Sequence, residues 1–197
     1  MQEIITAYKW LTAERKGSYG HGDYRGYLPR PSRPGKWTPA VTPRQCAKGW
    51  HVTDVEHLWS HWTIDGTLYV AECRGESSVA TDKTAWESIR LLRPVGVLTR
   101  EIAAAFACEV AERVLPIFEQ RLPGDDRPRK AIAAARRGDA AYAAAAYAAA
   151  PAAATDAATY AAAAAYAAYA AAYAAPAAGQ VLRRWAGERL LALLAGA

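Results

Sequence analysis

The front half of the chain contains short runs of apolar, aromatic and β-branched residues bounded by turn residues, which are typical of β-strands. The clearest case is 67–73, whose two faces are Leu68, Val70 and Glu72 on one side and Tyr69, Ala71 and Cys73 on the other. The same pattern predicts further strands at 4–11, 48–52 and 86–94. Asp54 predicts the N-cap of a short helix over 55–62, because its carboxylate can accept a backbone N–H of the first turn.

From residue 99 onward the apolar period becomes that of a helix. One stripe at three- and four-residue steps contains Ile102, Phe106, Val110, Val114, Ile117 and Phe118. Pro116 predicts a kink or an end in this helix, because proline removes a backbone donor. Further helices are predicted at 127–137, 139–150, 155–175 and 180–195. Such a series with short connections predicts a bundle, in which Tyr166, Tyr169 and Tyr173 supply bulk between alanine faces.

These two patterns predict an α+β protein made of two domains. A small β-rich N-terminal domain with a long basic loop is expected over 1–96, and an all-α, alanine-rich helical bundle over 97–197. The composition changes at the same place. Six of the seven tryptophans precede residue 90, whereas 139–180 consists almost entirely of Ala and Tyr.

Residues 15–45, hereafter the basic loop, interrupt the strand pattern. The loop contains five prolines, which exclude a helix or a long strand: Pro29, Pro31, Pro34, Pro39 and Pro43. A loop of this length in a compact domain is more often functional than idle. Between positions 15 and 48 one acidic residue, Asp23, faces eight basic ones: Arg15, Lys16, Arg25, Arg30, Arg33, Lys36, Arg44 and Lys48. This local excess of positive charge indicates phosphates or an acidic partner.

The aromatic residues of the basic loop leave two interpretations open. Aromatic rings stack on bases or sugars while guanidinium groups pair with phosphates, so the loop is a candidate site for a nucleotide or a single strand. Alternatively, the rings fold back on the sheet and the arginines are solvated. The residues concerned are Tyr19, Tyr24, Tyr27 and Trp37.

Cysteine usage and hydropathy bear on the compartment. The three cysteines (Cys46, Cys73 and Cys108) form no CxxC pair, so they predict free thiols and a reducing cytoplasm. The N-terminus lacks the basic and apolar regions of a signal peptide. Residues 140–178 contain no Leu, Ile, Val or Phe, the residues that drive membrane insertion, so no membrane span is expected.

Three histidines raise the question of a metal site. His57 and His61 are four residues apart on the predicted helix, a spacing that can hold a divalent cation, and His51 is the nearest candidate for a third ligand. The alternative is a surface helix whose histidines flank Trp59 and Trp62. We adopt the second interpretation and expect no metal.

The segment from Thr99 to Asp139 resembles the helical domain of putative immunity proteins from bacterial toxin–immunity systems. The resemblance rests on AERVLPIFE at 111–119 and on DDRPRKAIAAAR at 125–136, followed by Ala-rich sequence. It implies a helical cytoplasmic module that binds proteins, and it implies no catalysis.

The front half resembles an uncharacterised domain common in phage and prophage proteins, through Cys46-Ala47-Lys48-Gly49-Trp50-His51 and Leu68-Tyr69-Val70-Ala71-Glu72. More remotely, KGWHVTDVEHLW at 48–59 is similar to the strand-and-helix segment of ADP-ribosyltransferases. That likeness implies a catalytic carboxylate, for which Glu87 is the candidate. It also implies that NAD is bound by Lys9, Arg15, Arg25, Trp50 and His51.

Two functional hypotheses follow from these observations. The first is a non-enzymatic bacterial or phage binding protein without a cofactor. It would act through protein–protein contacts or self-association of its Ala-rich helices, with a possible nucleotide at the basic loop. The alternative is an ADP-ribosyltransferase-like domain that binds or cleaves NAD or another nucleotide.

Overall fold

In a computed structural model, the residues described are 4–18, 22–121, 123–137 and 176–197. The chain divides into two compact units. The first comprises Met1–Thr99 together with Arg184–Ala197, and the second comprises Arg100–Arg183.

The first unit is built on a four-stranded sheet in which all neighbouring strands are antiparallel. Its order along the sheet is β1-β3-β4-β2. The strands are β1 (Ile5–Leu11), β2 (Trp50–Val52), β3 (Thr67–Val79) and β4 (Thr84–Val97). Tyr8 and Thr53 exchange two backbone hydrogen bonds of 2.9 Å, which connect β1 to the end of β2. The sheet therefore curls into a half-barrel.

The β3–β4 hairpin extends beyond the strands that the sequence predicts. The apolar run of β3 stops after Cys73, yet the strand continues through polar residues to Val79. The pairing register shifts between Arg74 and Ser77, where Gly75 has a φ of 84°. A bulge of this kind needs a residue that tolerates positive φ, and glycine does so without strain.

Alternate residues of the strands form the main core on one face of the sheet. They pack with Tyr24 of the basic loop and with partly buried Leu28, Trp50 and Trp86. The strand residues of this core are Ala7, Leu11, Val52, Tyr69, Ala71, Cys73, Ile89 and Leu91. The prediction that loop aromatics fold back on the sheet is thus confirmed for Tyr24, which is 2% exposed.

The opposite face buries Trp10 and Leu68, which lie side by side on β1 and β3. A 3₁₀-helix at Val55–Ser60, capped by the Asp54 carboxylate as predicted, supplies Leu58 to this face. The indole N–H of Trp10 donates a hydrogen bond of 2.8 Å to the carbonyl oxygen of Leu58. That bond satisfies the polar atom of an otherwise buried tryptophan.

Three helices are described: α1 (Arg100–Arg121), α2 (Arg127–Arg136) and α3 (Pro176–Ala195). Helix α1 runs through Pro116, so the helix does not end at this proline. In the second unit, ion pairs join α1 to α2, from Arg129 to Glu119 at 2.7 Å and from Arg136 to Glu112 at 2.6 Å. Phe106 and Val110 are buried, as the helical stripe predicts.

The predicted fold class, with an all-α helical bundle over the back half, is wrong. Within the described ranges the fold is a curled antiparallel sheet with three helices, mostly in the C-terminal part, and no all-helical bundle domain. The end of α3 belongs to the unit of the sheet and buries the stripe of Ala186, Leu190 and Leu194 there. A helical period shows that a helix has an apolar face but not which surface covers it. The predicted stripe of Tyr166, Tyr169 and Tyr173 lies outside the described residues.

Candidate binding site

The second part of the basic loop is fastened along the edge of β4. Three backbone N–H groups donate to carbonyl oxygens of that strand: Gly35 to Leu91 at 2.7 Å, Thr38 to Ile89 at 2.8 Å and Val41 to Glu87 at 3.0 Å. Pro39, between two of these donors, and Pro34, directly before the first, have no N–H to satisfy, so this extended segment suits an edge position. The loop is therefore ordered by the sheet.

Thr38 and Trp37 strengthen this attachment. The buried Thr38 hydroxyl accepts the N–H of Ile89 at 2.9 Å, and its carbonyl accepts the Ser88 hydroxyl at 2.7 Å. The guanidinium carbons of Arg74 and Arg90 lie 4.1 and 4.9 Å from the centre of the Trp37 ring. Cation–π contacts of this geometry are attractive. They attach the loop to the sheet at Trp37, directly after residues 25–36.

A cavity of about 500 Å³ opens in the basic loop between residues 25 and 36, and we call it the basic cavity. Its walls include four cationic residues and, within the described part of the chain, no acidic one. The lining residues are Arg25, Gly26, Leu28, Pro29, Arg30, Arg33, Pro34, Gly35 and Lys36. The volume is in the range of ligand-binding clefts, and the walls favour an anion.

The four cations of the basic cavity are not equivalent. Asp23 accepts two hydrogen bonds from Nε of Arg25, at 3.0 and 2.9 Å, and this neighbour lowers the pKa of the Asp23 carboxyl to about 2. The positive charge of Arg25 is thus neutralised by the carboxylate of Asp23. Among the described residues, Arg30, Arg33 and Lys36 form no ion pair, and all three are exposed. They leave the cavity with uncompensated positive charge.

Lys9, a predicted ligand-binding residue, lies inside the half-barrel and does not line the basic cavity. Its Nζ donates a hydrogen bond of 2.7 Å to the carbonyl oxygen of His51 and lies 5.3 Å from the centre of the Tyr24 ring. Burial, followed by the nearby charge of Lys83, lowers the pKa of Lys9 to about 8.

Trp50 and His51 hold the basic loop. The indole N–H of Trp50 donates to the carbonyl oxygen of Pro39 at 2.8 Å, and the ring meets Tyr24 edge-on at 5.4 Å between centres. Nε2 of His51 accepts the N–H of Cys46 at 3.3 Å. Burial, then the positive charges of Lys9 and Lys83, lowers the pKa of His51. Neutral imidazole fits this accepting role.

Arg15, another predicted ligand residue, is directed to the start of β3. Its guanidinium donates to the hydroxyl groups of Thr67 at 3.0 Å and Tyr69 at 3.5 Å. Of the five predicted ligand residues, the structure puts only Arg25 in the basic cavity, whereas Lys9, Trp50 and His51 lie together behind it.

The predicted catalytic residue, Glu87, is engaged with the β3 bulge. Its carboxylate accepts the N–H of Glu76 at 3.1 Å and lies directly over Gly75. Trp50 and His51 pair with Trp86 and Ala85 from β2, on the other side of β4. The carboxylate of Glu87 therefore contacts β3, whereas Trp50 and His51 belong to β2, which neighbours β4 on its other side.

His57 and His61 are each bound to a different carboxylate. Nδ1 of His57 lies 2.8 Å from Asp54 in its own 3₁₀-helix, and Nε2 of His61 lies 2.8 Å from Asp82 in the β3–β4 turn. Over the ranges that the structure describes, no cluster of three or more potential metal ligands is found. The histidines therefore brace local structure.

Sequence reasoning places Arg30, Arg33 and Lys36 in the basic cluster but does not single them out as site residues. The signal that could have done so is Arg30-Pro31-Ser32-Arg33, where proline occupies the second position of a tight turn. Such a turn puts its first and last residues side by side.

Comparisons of this chain with protein-family models, with curated proteins and with solved structures give no match. Across the described residues, none of the helices has both the length and the apolar character needed to cross a bilayer.

Proposed function

We propose that this chain is a non-enzymatic binding protein that docks an acidic partner protein at the basic cavity. The observation that carries the proposal is the cavity itself, whose cationic walls include three side chains without an ion pair among the described residues. Complementary charge steers association and sets register between partners. The rigid attachment of the loop to β4 supports the proposal, because an ordered site loses less entropy on binding.

The contacts of the other site residues favour binding over catalysis. Lys9, Trp50 and His51 hold the basic loop against the sheet through hydrogen bonds to backbone atoms. Glu87 stabilises the bulge of β3. The transferase alternative requires these same side chains to meet NAD, and no contact among the described residues favours that alternative.

The resemblance of 99–139 to the helical domain of immunity proteins supports a protein as the partner, and self-association through the Ala-rich segment is part of the same proposal.

The three cysteines are free thiols, two of them buried, which supports a reducing cytoplasm as the compartment.

The experiment is a titration of the full chain with a labelled oligoglutamate peptide, as a mimic of an acidic protein surface, followed by fluorescence anisotropy. Arg30→Gln combined with Arg33→Gln should weaken binding about tenfold or more, because both charges line the basic cavity. Arg44→Gln combined with Lys48→Gln removes the same charge from an exposed turn outside the cavity and is the matched control.

Binding of wild type and control should weaken in parallel as ionic strength rises. Equal loss in the two double variants would show a diffuse charge effect and contradict a site at the basic cavity. Absence of binding at low ionic strength would contradict the proposed function itself.

A further inference from the structure

The turn at residues 30–33 places two arginines, Arg30 and Arg33, opposite each other. The N–H of Arg30 donates to the carbonyl of Arg33 at 2.9 Å, and the N–H of Arg33 donates to the carbonyl of Arg30 at 3.2 Å. In a pair that exchanges both bonds, the Cα atoms are about 5.5 Å apart and the side chains share a face. Both of these side chains line the basic cavity.

Two like charges in direct opposition destabilise a β-type pair. Pro31 restricts the turn, and the bond from Gly35 to Leu91 fixes the chain just after it, so the backbone cannot easily separate the two residues. Neither arginine has a carboxylate partner among the described residues. An anion between the guanidinium groups would remove the repulsion.

The number of acceptor atoms distinguishes the candidate anions. Each guanidinium presents a planar fork of donors that fits two oxygens, so two forks that bind one anion together require three or more acceptors on one centre. A carboxylate has two oxygens and one charge and satisfies one fork. A phosphomonoester has three terminal oxygens and a charge of about −1.5 to −2, and Lys36 on the same wall offers a third positive charge.

We propose that the basic cavity is a phosphate site, in which Arg30 and Arg33 clamp a phosphoryl dianion and Lys36 adds a third positive charge. This inference rests on the proposed function and specifies its chemistry: the group that enters the cavity carries phosphate rather than carboxylate. Its source is either a phosphorylated side chain of the partner protein or a free phosphate compound. Recognition of phosphorylated residues by arginine clusters is a recurrent binding mode.

The test compares three labelled peptides of one sequence whose central residue is phosphoserine, glutamate or serine, each titrated into the full chain. The phosphoserine peptide should bind about tenfold or more tightly than the glutamate peptide. Arg33→Lys keeps the charge but removes the fork, so it should remove most of this preference while the glutamate peptide binds as before. Arg44→Lys, outside the basic cavity, is the matched control and should change neither affinity.

Inorganic phosphate, added as a competitor, distinguishes the two sources. Weak competition with tight binding of the phosphoserine peptide indicates a phosphorylated protein, and competition as strong as the peptide's own affinity indicates a free phosphate compound. Equal affinity for the phosphoserine and glutamate peptides would overturn the phosphate site and leave the proposed function intact. Failure of every peptide to bind would overturn both.

Discussion

Lys9 donates a hydrogen bond of 2.7 Å from its Nζ to the carbonyl oxygen of His51. This bond connects β1 to β2, which are at the two edges of the sheet and meet only where it curls. A partly buried ammonium group is costly in an apolar setting, yet here it closes the half-barrel behind the basic loop. The cost appears in the pKa of Lys9, which burial and then Lys83 lower to about 8.

The first prediction concerns the pH dependence of stability. The pKa of Lys9 is about 8 in the folded state against 10.5 normally, so between these values the unfolded chain binds more protons. The contribution of Lys9 to the free energy of unfolding should therefore rise with pH across this window, by at most about 3 kcal/mol. We expect the stability of wild type relative to Lys9→Met to increase between pH about 7 and about 10, measured by urea denaturation.

Subtraction of the two curves removes the contribution of groups that Lys9 does not contact. Lys48→Met, on the exposed turn from Arg44 to Lys48, controls for the loss of one positive charge. A constant difference between wild type and Lys9→Met across the window would show that Lys9 is not desolvated.

The second prediction concerns the contact of Trp37 with Arg74 and Arg90. Trp37→Ala removes two cation–π contacts, so the chain should lose about 1–2 kcal/mol of stability. The amides of Thr38 and Ile89, whose bonds fasten the loop to β4, should exchange faster with deuterium. Trp37→Phe keeps an aromatic face and should recover part of both effects. Unchanged exchange at these amides would show that the stacking does not hold the loop.

The sequence predicts the strands well where they are buried. Apolar side chains locate β1 and the first half of β3, because Leu68 and Tyr69 are buried on opposite faces of the sheet and both positions are therefore apolar. This signal misses the second half of β3, from Arg74 to Val79, because an exposed hairpin needs no apolar residues and is held by backbone bonds to β4. The predicted strand also begins two residues late, at Trp86, whereas β4 begins at Thr84.

The location of the site is harder to predict than the elements. The basic loop stands out by its charge, but whether Arg15 or Arg33 faces a ligand depends on which backbone groups the loop offers to β4. Arg15 is bound to Thr67, whereas Arg33 lines the basic cavity. Residue type alone does not separate them, because both are arginines of the same basic loop.

The third prediction concerns Gly75, whose φ is 84°. A Cβ at this position would overlap the carboxylate of Glu87, so Gly75→Ala combines backbone strain with a clash. We expect a loss of about 1–3 kcal/mol in the free energy of unfolding. Adding Glu87→Ala should recover the part due to the carboxylate, but not the parts due to φ and to the Cβ of residue 87, as measured by a double-mutant cycle. If the two losses simply add, the carboxylate of Glu87 does not lie over Gly75.

The fourth prediction tests the packing of the end of α3 against the 3₁₀-helix Val55–Ser60. A Cβ added at Gly187 would overlap the backbone carbonyl of Val55 in the 3₁₀-helix, whereas one added at Gly196 would lie 3.4 Å from the carbonyl oxygen of Ala192, an ordinary contact. Backbone atoms cannot move aside as side chains do, so Gly187→Ala should displace the end of α3 and destabilise the first unit by about 2–4 kcal/mol. Gly196→Ala, the same chemical change in the same terminal segment, should alter stability by less than about 0.5 kcal/mol. Thermal unfolding followed by tryptophan fluorescence reports both, because Trp10 lies on the face to which Leu58 of the same 3₁₀-helix contributes. Equal stability of Gly187→Ala and Gly196→Ala would mean that α3 does not pack on Val55, and the last helix would then have to bury Leu190 and Leu194 against another surface.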